Sequence, residues 1–423
     1  MKNVVFIVEG YSPDFSATGA CANSIVEELS SKCKIVVIDR KRNSALNNGD
    51  DEYSSIRRYD FFENRIRTLI KEKLMTAQGI KRFLLLLFNI AVRGYGFIKF
   101  WFRTRDIKSQ QVKAILKELK NINEKIDAII PLCLPVEGIA AAFIYKKNIR
   151  YDVKVIPLLF DLFAENPTMH RTEKHKKRKH KRHIEFEREM CEYSEKLFFV
   201  EAWSNHLNKY FGKFKDKFCL IEHPLLKRVH SNVTINYDPE KINIVYTGAL
   251  YKKIRSPLFS LKLISSLIEK DKRIALHFYI NGDCNELVNG YCEKYPVNII
   301  NHGSVPRETA QAAMLASDIL LSIGNTDPNQ IPSKIFEYIS TGKPILHCCS
   351  IKEDPVIDIL KAYTNSCCLE SKEQVLSSDE SKVLQFINNK MKQIEFEEVE
   401  KIYFTAAPKY TADKIMEILQ QGD

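Results

Sequence analysis

Glycine and proline are scarce, with 15 of each in 423 residues, and tryptophan occurs only twice. That scarcity excludes a collagen-like chain and a low-complexity linker protein. No C-x-x-C occurs among the 11 cysteines, and two of the pairs, Cys348-Cys349 and Cys367-Cys368, are adjacent. Zinc-ribbon spacing is therefore missing, and an adjacent-cysteine disulfide would be strained. Reduced thiols in a cytoplasmic protein are expected. No G-x-G-x-x-G follows a strand, since the first loop holds only Gly10 and Gly19 and the second only Gly248. A dinucleotide-dependent oxidoreductase loses most of its support there. A signal peptide is not expected, because Met1-Lys2-Asn3 enters the strand-length apolar run Val4–Val8 directly.

What the chain does have is length, a 45% hydrophobic composition and a net charge of +11. Two or three domains, each with its own core, are expected. The charge is concentrated. Residues 65–105 carry a net +9 and residues 170–183 a net +7, so the rest of the chain is slightly acidic. Two local surfaces that meet something anionic are indicated, rather than a generally basic protein. The first segment mixes its cations with Phe83–Phe88, Phe97, Phe100, Trp101 and Phe102. Its uncharged stretch, 83–92, falls short of the roughly 20 residues that cross a bilayer. A helix in the membrane interface, rings in the acyl boundary and cations on headgroups, is the favoured reading, and a core helix with a basic face is the other. The second segment has no interleaved aromatic residue, which leaves base stacking unsupported. A basic surface near lipid or acceptor and a solvated loop both fit it.

A strand–loop–helix–strand unit occurs twice. Val4–Val8, a polar loop, a helix from about Thr18 to Lys32 and a strand at Lys34–Asp39 form the first. The second has a strand at Ile242–Tyr246, a turn at Thr247-Gly248-Ala249, a helix capped by Ser256 with Pro257 at its first position, and a strand at Ile274–Ile280. Buried β-branched strands alternating with helices indicate an α/β fold of two doubly wound, Rossmann-like domains facing across a cleft. The expected boundaries are 1–225 for an acceptor-side domain, 226–241 for a polar linker, 242–400 for a donor domain, and 401–423 for a terminal helix packing back on the first domain. Ligands in such sheets bind beyond the carboxyl ends of the strands.

The most informative stretch is Asn325 to Cys348. Pro332 and Ser333 mark a helix start, Gly342 supplies a left-handed stop, and Glu337 lies inside among apolar neighbours. A solvated helix carboxylate is one reading; a bidentate hold on two sugar hydroxyls is the other. The run P-S-K-I-F-E-Y-I-S-T-G-K-P-I resembles the donor-site helix of retaining GT-B glycosyltransferases of family 4, also called group 1. S-A-T-G-A at 16–20, Y-T-G-A-L-Y-K-K-I-R-S-P at 246–257, N-H-G-S-V-P at 301–306 and A-S-D-I-L-L-S-I at 316–323 are similar to that family's segments in the same order.

The resemblance implies roles. Glu337 matches the second glutamate of the family's E-x7-E motif and would bind the donor ribose. The first glutamate is replaced by Asn329, which can still bond hydroxyls. The arginine usual after the second-domain glycine is replaced by Ala249, so Lys253 and Arg255 are the cations available for the diphosphate, with Arg255 favoured. Gly303, Ser304 and Val305 match the loop that lines the nucleobase. The full expected donor set is Thr18, Gly19, Gly248, Lys253, Arg255, Gly282, Gly303, Ser304, Val305, Asn329, Ser333, Lys334 and Glu337. Asp161, at a strand's carboxyl end, is the acceptor-side candidate, with helix capping as its alternative. His170 is a weaker candidate for the histidine that the family often carries there. Asp161 and Arg255 are the expected catalytic pair.

No D-x-D is present, so leaving-group charge is expected to fall on Arg255, Lys253 and helix N-termini without a metal or other cofactor. With no nucleophile at a matching position, the resemblance implies front-face transfer with retention. The expected activity is transfer of a hexose or N-acetylhexosamine from a nucleotide sugar to a lipid-linked or surface-glycan acceptor, as in capsule or exopolysaccharide assembly. The expected place is the inner face of the cytoplasmic membrane, on anionic lipid, without nucleic acid. A non-catalytic nucleotide-sugar or membrane-binding subunit is the alternative.

Overall fold

The computed structural model spans Met1–Asp423 and describes every residue except 13–14, 167–168, 171, 390–391 and 422–423. Pro13 and Asp14 of the first loop and Arg171 of the second basic run thus lie outside the described residues. The chain divides into two compact units, Met1–Pro224 with Pro408–Asp423, and Leu225–Ala407. All 11 cysteines are free thiols.

In the first unit, strands β1 (Lys2–Val8), β2 (Cys33–Arg40), β3 (Gly49–Asp50), β4 (Ser55–Tyr59), β5 (Ala128–Pro131) and β6 (Lys154–Val155) form a sheet of order β3-β4-β2-β1-β5-β6, with only β3 antiparallel. A three-stranded parallel sheet of β7 (Leu158–Leu159), β8 (Leu197–Phe199) and β9 (Phe218–Leu220) continues it through a bridge between Leu132 and Leu158. Val4–Val8 are fully buried because helices cover both faces. The helices are α1 (Ala17–Leu29), α2 (Phe62–Thr76), α3 (Gly79–Phe102), α4 (Ser109–Lys120), α5 (Val136–Asn148), α6 (Glu173–Tyr193) and α7 (Ser204–Phe211). α1 starts tightly against β1: a side chain on Gly19 would meet the Gly10 carbonyl oxygen at 2.0 Å, so only glycine fits.

The second unit holds β10 (Ile242–Leu250), β11 (Ile274–Gly282), β12 (Ile299–Asn301), β13 (Ile319–Ile323), β14 (Ile345–Cys349) and β15 (Ser366–Glu370), all parallel, in the order β12-β11-β10-β13-β14-β15. This is the doubly wound order, and its direction reverses between β10 and β13. Helices α8 (Leu258–Lys270), α9 (Asn285–Lys294), α10 (Arg307–Ala316), α11 (Lys334–Ser340), α12 (Pro355–Leu360), α13 (Ser377–Asn388) and α14 (Phe396–Ile402) surround it. Ile244, Leu276, Phe278, Leu321 and Leu346 form one core with the α8 leucines, and each buried side chain of this size contributes roughly 1.5–3 kcal/mol. Residues 226–241 are integral to this unit: Tyr237 packs on His277 at 4.3 Å between ring centroids and bonds the Tyr279 hydroxyl at 2.9 Å. The final helix, α15 (Pro408–Gln420), returns to the first unit and packs against α1.

Two local expectations are corrected. Thr247-Gly248-Ala249 is strand, because β10 stays paired with β11 as far as Leu250 and Gly282. The turn falls at Tyr251–Arg255, closed by Arg255 N–H donating to the Tyr251 carbonyl at 2.8 Å. The helix after it starts one residue late, with Pro257 as the cap and Leu258 as the first residue.

Candidate functional site

The switch point is held open by a side chain. β10 and β13 pair only at Ile244–Val245 with Ile319–Leu320, which leaves the backbone of Thr247 without a neighbouring strand on that side. The Tyr338 hydroxyl, from α11, accepts from Thr247 N–H at 2.8 Å and donates to its carbonyl at 3.1 Å. Both buried backbone groups are thereby satisfied while the strands separate.

Two loops meet beyond this gap. Asn325, just after β13, accepts from Arg255 Nε at 3.0 Å and from Nη2 at 2.8 Å, so one edge of the guanidinium is fixed. Thr326 N–H donates to the Ile254 carbonyl at 2.8 Å, and its hydroxyl donates to the Lys253 carbonyl at 3.0 Å. Lys253 is exposed, and no partner for its ammonium exists among the described residues. Ala249 leaves only a carbonyl here, which accepts from the Tyr246 hydroxyl at 3.1 Å.

Glu337 lies on α11, next to the Tyr338 wedge, and is only 7% exposed. Burial alone would raise its pKa, but Lys334 at 3.2 Å, with Arg307 and Lys227, holds the carboxyl below the usual range. A buried ionised carboxylate results. Ser333 is the cap residue of α11 and makes no side-chain capping bond. Asn329 sits in the loop before it, its N–H donating to Asp327 Oδ1 at 3.0 Å.

The other expected residues fall elsewhere. Gly282 ends β11 with φ +111°, where a side chain would meet the Leu250 carbonyl oxygen at 2.0 Å. Gly248, φ +140°, lies in β10, where a side chain would touch the Tyr246 hydroxyl at 3.6 Å. Gly303, Ser304 and Val305 follow β12, and the Gly303 carbonyl accepts from Ile280 N–H at 2.8 Å. Thr18, Gly19 and Asp161 belong to the first unit. There the Gly19 N–H is taken up by the Ser16 hydroxyl at 3.0 Å, and Asp39 accepts from Gly10 N–H at 2.9 Å and Tyr11 N–H at 3.1 Å. Asp161 follows β7 and raises the pKa of the buried Cys133 thiol, whose main cause is burial. Asn325, Thr326 and Tyr338 were missed by sequence reasoning; a polar residue directly after a buried strand was the available signal for Asn325.

Among the described residues, two clusters bring metal-type ligands together, Asp106–His170–His183 and His347–Cys349–Asp354. In the first, Asp106 Oδ2 bonds His170 Nδ1 at 2.9 Å and His183 Nε2 at 3.0 Å, and Lys179 takes the other oxygen. A divalent cation does not fit beside that ammonium. In the second, His347 bonds Ser322 at 2.9 Å and Asp354 at 3.2 Å, and Asp354 caps α12. His170 is thus buried in a structural cluster.

No known family profile and no curated protein sequence matches the chain. Solved structures do match. Sucrose-phosphate synthase from Thermosynechococcus elongatus aligns over 100% of this chain and 99% of its own at TM-score 0.63 and 8% identity. S. aureus TarM, in complex with fondaparinux, α-GlcNAc-glycerol and UDP, aligns over 100% of both chains at TM-score 0.60 and 10% identity. A Listeria monocytogenes protein named as a UDP-N-acetylglucosamine 2-epimerase aligns over 98% of this chain and 95% of its own, at TM-score 0.57 and 10% identity. At these identities the likeness is one of architecture: the chain has the two-domain GT-B fold.

Proposed function

We infer that the protein is a glycosyltransferase that takes a hexose or N-acetylhexosamine from a nucleotide sugar, retaining its configuration, and that the second unit binds the donor. The observation that carries this reading is the grouping at the switch point: a buried carboxylate kept ionised on α11, and a guanidinium fixed by Asn325 on the loop after β10. Glu337 suits two vicinal ribose hydroxyls, because an ionised carboxylate accepts two charge-assisted bonds. Arg255, with Lys253, suits the diphosphate. As the bond from the anomeric carbon to the phosphate oxygen breaks, negative charge grows on the leaving phosphate, and a pre-fixed cation stabilises it without reorganising. The acceptor hydroxyl attacks from the same face, and its proton passes to the departing phosphate oxygen. Asp161 serves the acceptor in the first unit.

The acceptor is lipid-linked or a surface glycan, the setting is capsule or exopolysaccharide assembly on the inner face of the cytoplasmic membrane, and no metal is needed. The chemistry of α3 supports the lipid side of this reading. Thermal-shift screening of the intact protein against nucleotide sugars, followed by transfer and hydrolysis assays with the donor that raises the midpoint, tests it. A donor that binds and is transferred supports the enzyme. Binding without turnover favours a non-catalytic subunit, and conversion of the free nucleotide sugar to its epimer overturns the transferase.

A further inference from the structure

Among the described residues, α3 is the one helix long and apolar enough to cross a membrane by length and composition, and only 11% of its apolar window is buried. The helix extends roughly 36 Å at 1.5 Å per residue and carries four cations along it. It is not a core helix. Ile80, Phe83, Leu84, Phe88, Ile98 and Phe102 are each more than half exposed, while only Gly96 and Phe100 are buried. An apolar surface of this extent marks an interaction site.

α3 packs on α2, and a side chain on Gly96 would approach Arg67 Nη2 to 3.1 Å. Toward the other end the helices part around a cleft of about 770 Å³. Its lining combines Arg67, Lys71, Arg82 and Arg93 with Asn89, over an apolar base that includes Ile70 and Leu74. Glu63 neutralises Arg67 at 2.9 Å. Lys71, Arg82 and Arg93 have no ion-pair partner among the described residues, so three like charges converge without a counter-ion. Such an arrangement attracts an anion with several acceptor oxygens, and two guanidinium forks match phosphate geometry.

We propose that this cleft seats the phosphate headgroup of an anionic membrane lipid, with the outward faces of α3 in the acyl region. The cations and the apolar helix are parts of one surface, which distinguishes a lipid from a soluble phosphate. They also disfavour a second copy of this chain, which would bring the same unpaired cations against these. The proposal rests on no step of sugar transfer, and vesicle binding reads it without activity.

The full chain is floated with phosphatidylcholine vesicles, with and without a minority of phosphatidic acid, whose phosphate monoester is accessible. Flotation is expected with phosphatidic acid only. Replacing Lys71, Arg82 and Arg93 by Ala should weaken binding about a hundredfold, at roughly fivefold per cation near the surface. Replacing Lys73, Lys81 and Lys99, which lie outside the cleft, should weaken it at least tenfold less. Equal losses in the two sets would reduce the surface to a diffuse basic patch and overturn the cleft. The pair Arg82→Lys and Arg93→Lys keeps the charge and guards against a folding failure. Weakened binding in that pair supports the fork geometry, and unchanged binding opposes it. Release of the protein from vesicles by dilute inorganic phosphate, or binding to neither vesicle, also overturns the proposal.

Discussion

The two basic segments carry similar excess charge, +9 and +7, and have opposite fates. In α3 the cations have no ion-pair partner among the described residues, and apolar side chains around them face outward. In α6 one stripe of the basic run turns inward: His175, Lys179 and His183 are buried, the last two on Asp106, and Lys179 also donates to the Phe100 carbonyl at 2.9 Å. The difference is a partner. One carboxylate converts a basic helix face into a structural one, and its absence leaves a surface that must find its anion outside the chain.

The largest effect is expected where that partner is removed. Asp106→Ala should destabilise the first unit by about 3–5 kcal/mol, since Lys179, His170 and His183 would stay buried without their counter-charge. Denaturant melts check this. Asp106→Asn separates the charge from the backbone, because Asp106 has φ +59° and Asn tolerates that conformation. By contrast, Lys81→Ala with Lys99→Ala should shift stability by less than about 0.5 kcal/mol. A comparable loss there would erase the distinction between the two segments.

The other unit buries a histidine with no carboxylate beside it, and acid should expose the difference. Burial, with His302 and Lys241 adding to it, pushes the His277 pKa down to about 4. The unfolded chain takes up this proton first, near pH 6.5, so stability is lost as pH falls from there toward about 4. The expected loss is about 2–4 kcal/mol, and His277→Gln should flatten the profile in melts between about pH 7 and about pH 4.5.

Smaller effects follow at the switch point, where charge is held for a ligand. Glu337→Ala should raise the donor KM roughly 10–100-fold, from the loss of charge-assisted bonds worth about 1.5–3 kcal/mol each. Unchanged donor binding in calorimetry would return Glu337 to the structural class with Asp106. Arg255→Ala should lower kcat more than it raises KM, and activity should persist in EDTA. A reversed order for Lys253→Ala and Arg255→Ala would move the phosphate role to Lys253.

The strand openings at Val4 and Ile242 were legible because β-branched runs buried on both faces have few other readings. α11 was legible from its punctuation, Ser333 before it and Gly342 after it. The extension of β10 through Thr247-Gly248-Ala249 was not, because it depends on Gly282 in β11 and on a phenol 91 residues away. α3 could not be placed from its pattern, since apolar residues occupy nearly every face. In α6 the spacing of His175, Lys179 and His183 at four-residue intervals was a usable sign of an inward stripe. Asp106, 77 residues before His183, was not visible from there.

The Tyr338 hydroxyl has a consequence for what variation the chain can accept. A parallel sheet left to itself would zip, each amide finding the next strand. Here a phenol stands in for that strand over a single residue, and the neighbouring position on the same helix carries the buried carboxylate. The recess is therefore built by the helix that furnishes it. Altering Tyr338 would strand an amide and a carbonyl in the interior, so the residue beside Glu337 is answerable to the sheet as well as to any ligand, and the two demands have to be inherited together.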